Sequence, residues 1–244
     1  MDAQYDDPRI TGDHLRSIDA PTGTVTLVGV VHDHPASAFR VRTVVTDRDP
    51  DVLALELPPL SLPLFERYAE DTRTPPAFGG EASAAIQAAT GRVVGIDGPT
   101  LPFLRRLVAR LRREDGSIET ARGVLDGLTS VTRNALRCRF AASLAAATGV
   151  RVEVDSPVAY AADRTDGPRR QAEDERRQID RARAVMDAFE PSRGASLGDD
   201  VREAHMADRL DDLRPEGDVV AVVGRHHLDR VAELLDARIR PSDR

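Results

Sequence analysis

Two runs of β-branched and apolar residues, near opposite ends of the chain, stop in the same way. Thr24-Val25-Thr26-Leu27-Val28 passes into Gly29-Val30-Val31-His32, and Val219-Val220-Ala221-Val222-Val223 passes into Gly224-Arg225-His226-His227. Each reads as a strand that stops at a glycine and presents a histidine three residues later. Runs with so few polar positions belong to strands covered on both faces, the setting of a parallel sheet between helices. Glycine permits a sharp turn or the close approach of a ligand. Histidine is the commonest metal ligand and a frequent general base. If the two strands are neighbours, their histidines meet at the carboxyl edge of the sheet, where open α/β folds place their sites.

The stretches between repeat the alternation. Val52 to Leu57 and Arg92 to Asp97 read as strands, and Val150 to Val154 as a short one. Helical spacing follows the first strand (Val41, Val44, Val45) and the third (Leu101, Leu104, Val108, Leu111). Ile118, Leu125, Leu128, Leu136, Phe140 and Leu144 mark a long helix or helix pair. Pro168 to Asp187 reads as a charged helix with an apolar stripe at Ile179, Ala182, Met186 and Phe189. Within it, Glu173-Asp174-Glu175-Arg176-Arg177 is expected to be a solvated face. The expected architecture is a single α/β domain over residues 22–240, with a central mostly parallel sheet, mixed sheets not excluded, flanked by helices. Residues 1–21 read as an acidic leader, and the helix-rich region of about 112–213 as a cap over the sheet edge.

Composition narrows the chemistry. Aromatic residues are 4 % and Trp is absent, so the core must rest on Val, Leu, Ile and Ala. The net charge of −7 argues against a nucleic-acid binder, which needs a basic face. All 34 basic residues are Arg, which removes Schiff-base, P-loop and lysine-base mechanisms together. The single Cys138 allows neither an internal disulfide nor a thiolate cluster and reads as a buried thiol. The first residues do not resemble a signal peptide, and no apolar run approaches the ~20 residues of a membrane span. A soluble, cytoplasmic protein is expected, with a homodimer left open.

Glu56 interrupts an otherwise apolar strand, Leu53-Ala54-Leu55-Glu56-Leu57, where an unpartnered ionised carboxylate would be very costly. Either an edge strand exposes it, an arginine pairs it, or it serves the site as base or ligand. Asp97 ends its strand as Glu56 does, although Asp also caps turns such as Gly98-Pro99-Thr100 well. Arg202 shares a helix side with Met206, Leu210 and Leu213, so it either snorkels or reaches a buried anion such as Glu56. For Arg105, snorkelling is the default. His227, by its spacing from Gly224, is the site residue of its pair. His226 and His205 are read as bystanders, and His34, ahead of Pro35, as shaping its loop. Histidines and carboxylates at strand ends are what a divalent cation with an activated water requires.

This ordered set resembles the TraB/PrgY family, within the group that includes the TIKI metalloproteases and the GumN-like and ChaN-like proteins. The pieces carrying the resemblance are Gly29-Val30-Val31-His32 with Ser37, Pro50-Asp51-Val52-Leu53-Ala54-Leu55-Glu56-Leu57, Gly95-Ile96-Asp97, Arg202-Glu203 with Met206-Ala207, and Val223-Gly224-Arg225-His226-His227-Leu228. The resemblance implies a metal site at His32, His227 and Glu56, and peptide hydrolysis is the activity associated with the TIKI branch. The expectation is a metal-dependent, peptidase-like hydrolase. His32, His227 and Glu56 would hold Zn, Mn or Co, Glu56 would double as base, Asp97 would support the site, and Arg202 would stabilise negative charge. The substrate would be a peptide or a small molecule. The rivals are a non-catalytic protein that captures a signalling peptide or anion, and a metal-free esterase with His32 as base.

Overall fold

The computed structural model describes residues 5–113, 118–148, 154, 158–188 and 193–240. Strands β1 (Leu15–Ala20), β2 (Gly23–Val30), β3 (Val52–Leu55), β4 (Arg92–Gly95) and β5 (Val219–Gly224) form one sheet in the order β1-β2-β5-β3-β4. All neighbours run parallel except β1, which pairs antiparallel with β2. Helices α1 (Pro35–Arg48), α2 (Leu62–Ala69), α3 (Gly80–Ala88), α4 (Leu101–Arg113), α5 (Ile118–Thr148), α6 (Pro168–Ala188), α7 (Arg193–Leu213) and α8 (Arg225–Ile239) complete the α/β fold.

The central strands are apolar throughout because both their faces are covered. Val25, Leu27, Val52, Ala54, Ala221 and Val223 pack with α7 and α8 through Met206, Leu210, Leu228 and Leu235. The alternate residues Val28, Val30, Leu53, Leu55, Val220 and Val222 pack with α1 and α3 through Val41, Val44, Val45 and Ala85. In register, Gly29 faces Val223, Val30 faces Gly224 and Leu55 faces both Val222 and Gly95. The carboxyl ends of β2, β5, β3 and β4 therefore align along one edge.

Four sequence expectations are corrected here. Residues 15–20, assigned to an acidic leader, form β1, and Arg9 ahead of them stacks on Phe39. Helix α4 buries Phe103 and Leu107, while Leu101 and Val108 are exposed. Helix α5 likewise buries Ala135, Ala141 and Ala142, beside a Cys138 that is buried as expected, against Leu64 and Tyr68 of α2, and leaves Leu136, Phe140 and Leu144 outward. Close helix approach favours the small face. Helix α7 covers the sheet face, and α5 packs against both α7 and α2. The strand expected over Val150 to Val154 lies outside the described residues, Val154 apart, and so does Phe189.

The fourth correction concerns α6. Asp174 and Glu175, expected in solvent, are each 1 % exposed. Glu175 pairs with the fully buried Arg40 and accepts the Ser37 hydroxyl at 2.5 Å. Arg40 in turn donates to the Gly29 and Arg9 carbonyls. Asp174 accepts the Ala162 amide at 3.0 Å, with His34 Nε2 3.5 Å away. Burial pushes the Glu175 carboxyl up, but Arg40, Ser37 and His14 outweigh it and hold its pKa below the ordinary value. Removing one member of such a pair strands the other in low dielectric. Arg40→Met should therefore cost about 3–5 kcal/mol in urea unfolding; a loss under about 1 kcal/mol, the range of an exposed pair, would show that Glu175 has other means of staying charged.

Candidate functional site

The aligned strand ends deliver the side chains. Just beyond β3, Glu56 lies beside β5: its amide bonds to the Val222 carbonyl, and its Oε2 accepts the Gly224 amide at 2.7 Å. Asp97 follows β4, with its amide on the Leu57 carbonyl. Arg202 comes from α7 and joins the two carboxylates. Its NH2 donates to Glu56 Oε1 and to Asp97 Oδ2, both at 2.8 Å, and its Nε to Asp97 Oδ1 at 3.2 Å. The guanidinium loses hydration on burial, but Asp97 and Glu56 more than offset that, so its pKa is raised. Of the two sequence readings for Arg202, the buried-anion one holds.

The two histidines occupy different local structures. His32 follows β2 in the loop before α1, where Asp33 adopts a left-handed φ of 57°. His227 lies in the first turn of α8 and is fully buried. Neither glycine serves a turn of left-handed φ. A Cβ on Gly29 would stand 2.8 Å from Leu228 Cδ2, so this glycine admits α8 against β2. Gly224 leaves room for the His226 ring and for Glu56.

Both imidazoles are oriented alike through Nδ1. His32 Nδ1 donates to Glu81 Oε1 at 2.7 Å, and His227 Nδ1 donates to Glu203 Oε1 at 2.8 Å. Glu81 also accepts the Asp33 amide at 2.8 Å, and the Tyr160 hydroxyl donates to the His32 carbonyl at 2.5 Å. Gly79 and Gly80, with φ of 79° and 49°, open α3 close against this loop, and a Cβ on Gly80 would collide with Asp33. Sequence reasoning missed Glu81, Glu203 and Tyr160 as site supports; the paired glycines ahead of Glu81 were the available signal for it. Hydrogen bonding to Glu81 and its charge raise the His32 pKa to about 9. Burial is the largest influence on Glu81 and raises its pKa, yet His32 outweighs it and the net shift is downward. His226, stacked on His227 with ring centroids 3.7 Å apart, is driven down to about 4 by burial and then by the charges of His227 and Arg202.

His32, Glu56, Glu81 and Arg202 line a cavity of about 380 Å³ whose apolar walls include Leu57, Leu64, Phe65, Tyr68, Val154 and Val158. His227 lies behind it, with Nε2 3.5 Å from Glu56 Oε1 and 3.4 Å from Arg202 NH1. Two of the bystander histidines stay apart: His34 caps α1 by accepting the Ala36 amide, and His205 packs on Phe103 beside the Thr100 hydroxyl; the third, His226, lies against His227 instead.

Two imidazoles held through Nδ1 on carboxylates, with Nε2 left over, are oriented as metal ligands usually are. The spacing does not match that chemistry. Among the described residues no three His, Cys, Asp or Glu side chains close around one point. The Arg202 guanidinium instead stands between His227 and Glu56 as the local cation. No helix of the described residues is long and apolar enough to cross a membrane. No family model, curated protein or solved structure matches the chain.

The His32–Glu81 pair has a measurable consequence. Because the folded state holds the His32 proton up to about 9, its stabilising contribution is complete below the unfolded value of ~6.5 and disappears as pH rises through the folded one. In Glu81→Gln the imidazole should titrate near ~6.5 by NMR. A His32 resonance that still titrates near 9 in that variant would assign the shift to another carboxylate.

Proposed function

We propose that the chain is a hydrolase of amide or ester bonds in a peptide-like substrate, with Glu56 as the base and His32 as the acid across one water. The observation that carries this reading is the placement of a carboxylate bound to a guanidinium and an imidazole bound to a carboxylate in the wall of one cavity. Pairs of groups held in opposite protonation states are the usual arrangement for acid–base work. Glu56 keeps lone pairs free beyond those taken by Arg202 and Gly224, so it can accept a proton from water as that water attacks a carbonyl carbon. His32, with Nδ1 on Glu81, offers Nε2–H to the carbonyl oxygen as negative charge develops there, then to the leaving group. Arg202 holds Glu56 in place; it is a positioning residue, with Asp97 anchoring it. The apolar walls match a substrate with an apolar side chain beside the scissile bond. The resemblance to the TraB/PrgY family supports peptide hydrolysis only through the TIKI branch, and there with a metal at these residues; the roles given to Glu56 and His32 here rest on the geometry.

A second reading is favoured by the Nδ1–carboxylate pairing of both histidines. In it, His32, His227 and Glu56 hold a divalent Zn, Mn or Co ion after Arg202 turns its NH1 and NH2 wholly toward Asp97. The ion would supply Lewis-acid activation of water. Elemental analysis of wild type beside His227→Ala, after dialysis without chelator, separates the readings. Near-stoichiometric metal that the variant loses establishes the second; no metal in either, even after zinc, manganese and cobalt are added, leaves the first.

In a fluorogenic peptide panel Glu56→Gln should lower kcat/KM by about 10²–10⁴-fold with an unchanged thermal melt. Full activity in that variant would exclude the proposed base. Activity of the wild type should fall as pH rises through about 9, where His32 loses its proton. A rate that keeps rising past that point would remove His32 as the acid. Binding of the peptides without any turnover would instead favour the non-catalytic receptor.

A further inference from the structure

The cavity holding Glu56 and His32 does not end at α2. Leu57, Phe65 and Asn134 belong both to it and to a second cavity of about 370 Å³ between α2 and α5. Arg133 and Arg137 of α5 line that second space, with Ser130 one turn before them. Positions four apart on a helix share a face, so the two side chains rise from one face of α5. Both are exposed, and among the described residues neither has a carboxylate within ion-pair distance or a side-chain hydrogen bond. Among the described residues other helix arginines lack a carboxylate too, Arg42 and Arg105 among them, but only Arg133 and Arg137 line a cavity that shares walls with the one holding Glu56. Two guanidiniums on one helix face at the end of a groove are suited to hold one carboxylate between them.

We propose that this groove is an anion subsite of the hydrolytic pocket and takes a carboxylate of the substrate, from an acidic side chain or from a chain end. The inference rests on the hydrolase reading for the meaning of "substrate". With the scissile carbonyl at Glu56 and His32, the chain passes Phe65 and Asn134, and its carboxylate meets Arg133 and Arg137. Asn134, between the two cavities, presents an amide suited to a peptide group on the way. The substrate class is therefore a short acidic peptide or a peptide-like acid.

The test is calorimetric titration with three peptides: acetyl-Ala-Leu-Glu amide, acetyl-Ala-Leu-Gln amide and acetyl-Ala-Leu-Gln with a free carboxylate. Wild type should bind one or both acidic peptides about tenfold more tightly than the neutral amide at low salt. The preferred peptide identifies which carboxylate is read. In Arg133→Gln/Arg137→Gln the preference should vanish while the neutral peptide binds as before; both residues are exposed, and a thermal melt checks the fold. Equal binding of all three by wild type, a preference that survives in the double variant, or no binding of any peptide at millimolar concentration would overturn the subsite. Because titration needs no turnover, the two readings fail separately. A charge preference without cleavage keeps the subsite and removes the hydrolase, whereas cleavage without a charge preference does the reverse.

Discussion

One guanidinium holds the sheet edge together. Glu56 and Asp97 end adjacent parallel strands and are each 6 % exposed at the side chain, so without a cation between them two carboxylates would face each other out of water. Arg202 supplies that cation from α7, and in doing so sets how α7 lies on the sheet. With α7 in that register, the next residue, Glu203, reaches His227 and fixes the first turn of α8. Replacing buried ion pairs with apolar groups is often neutral or stabilising. The value of this one therefore lies in position: three elements of the fold are aligned by a single side chain.

The same edge shows how local surroundings assign different chemistry to like residues. His32 and His226 each follow a strand with a glycine at or near its end, yet one is held protonated up to about 9 and the other is neutral down to about 4. The difference is the neighbour. His32 has the Glu81 carboxylate on Nδ1, while His226 has burial and two cationic or ionisable groups beside it. His227 is bonded to a carboxylate as His32 is, but it is sealed behind the cavity rather than exposed in it. The repeated glycine-to-histidine spacing thus places one histidine to meet a ligand and another to brace the wall.

Much of this was legible in the sequence, for a physical reason. A glutamate in an apolar strand and an arginine on an apolar helix stripe are each costly alone, and the simplest resolution is that they meet; Glu56 and Arg202 do. The ordered strand ends were legible because apolar runs mark parallel strands. What escaped notice were features whose partners are remote. Glu173-Asp174-Glu175 is indistinguishable by composition from a solvated face, and only Arg40, 135 residues away from Glu175, makes its burial tolerable. The face of α5 was misjudged because Leu136 and Phe140 are larger than Ala135 and Ala141, and size predicts burial only where the neighbour leaves space. The glycines were read as serving a turn or a ligand, whereas Gly29 makes room for Leu228.

Helix α6 carries a further implication. A helix docked by an apolar stripe can shift by a turn and find new apolar contacts, losing little. One docked through two buried acids cannot, because each carboxylate must find its own donors, Arg40 and Ser37 for Glu175 and the Ala162 amide for Asp174. Attachment is consequently all-or-none and of single register. Tyr160, which packs edge-on against His34 and bonds to the His32 carbonyl, sits two residues before the amide that Asp174 holds. The backbone of the His32 loop is thus tied, through Tyr160, to the one register in which α6 can dock.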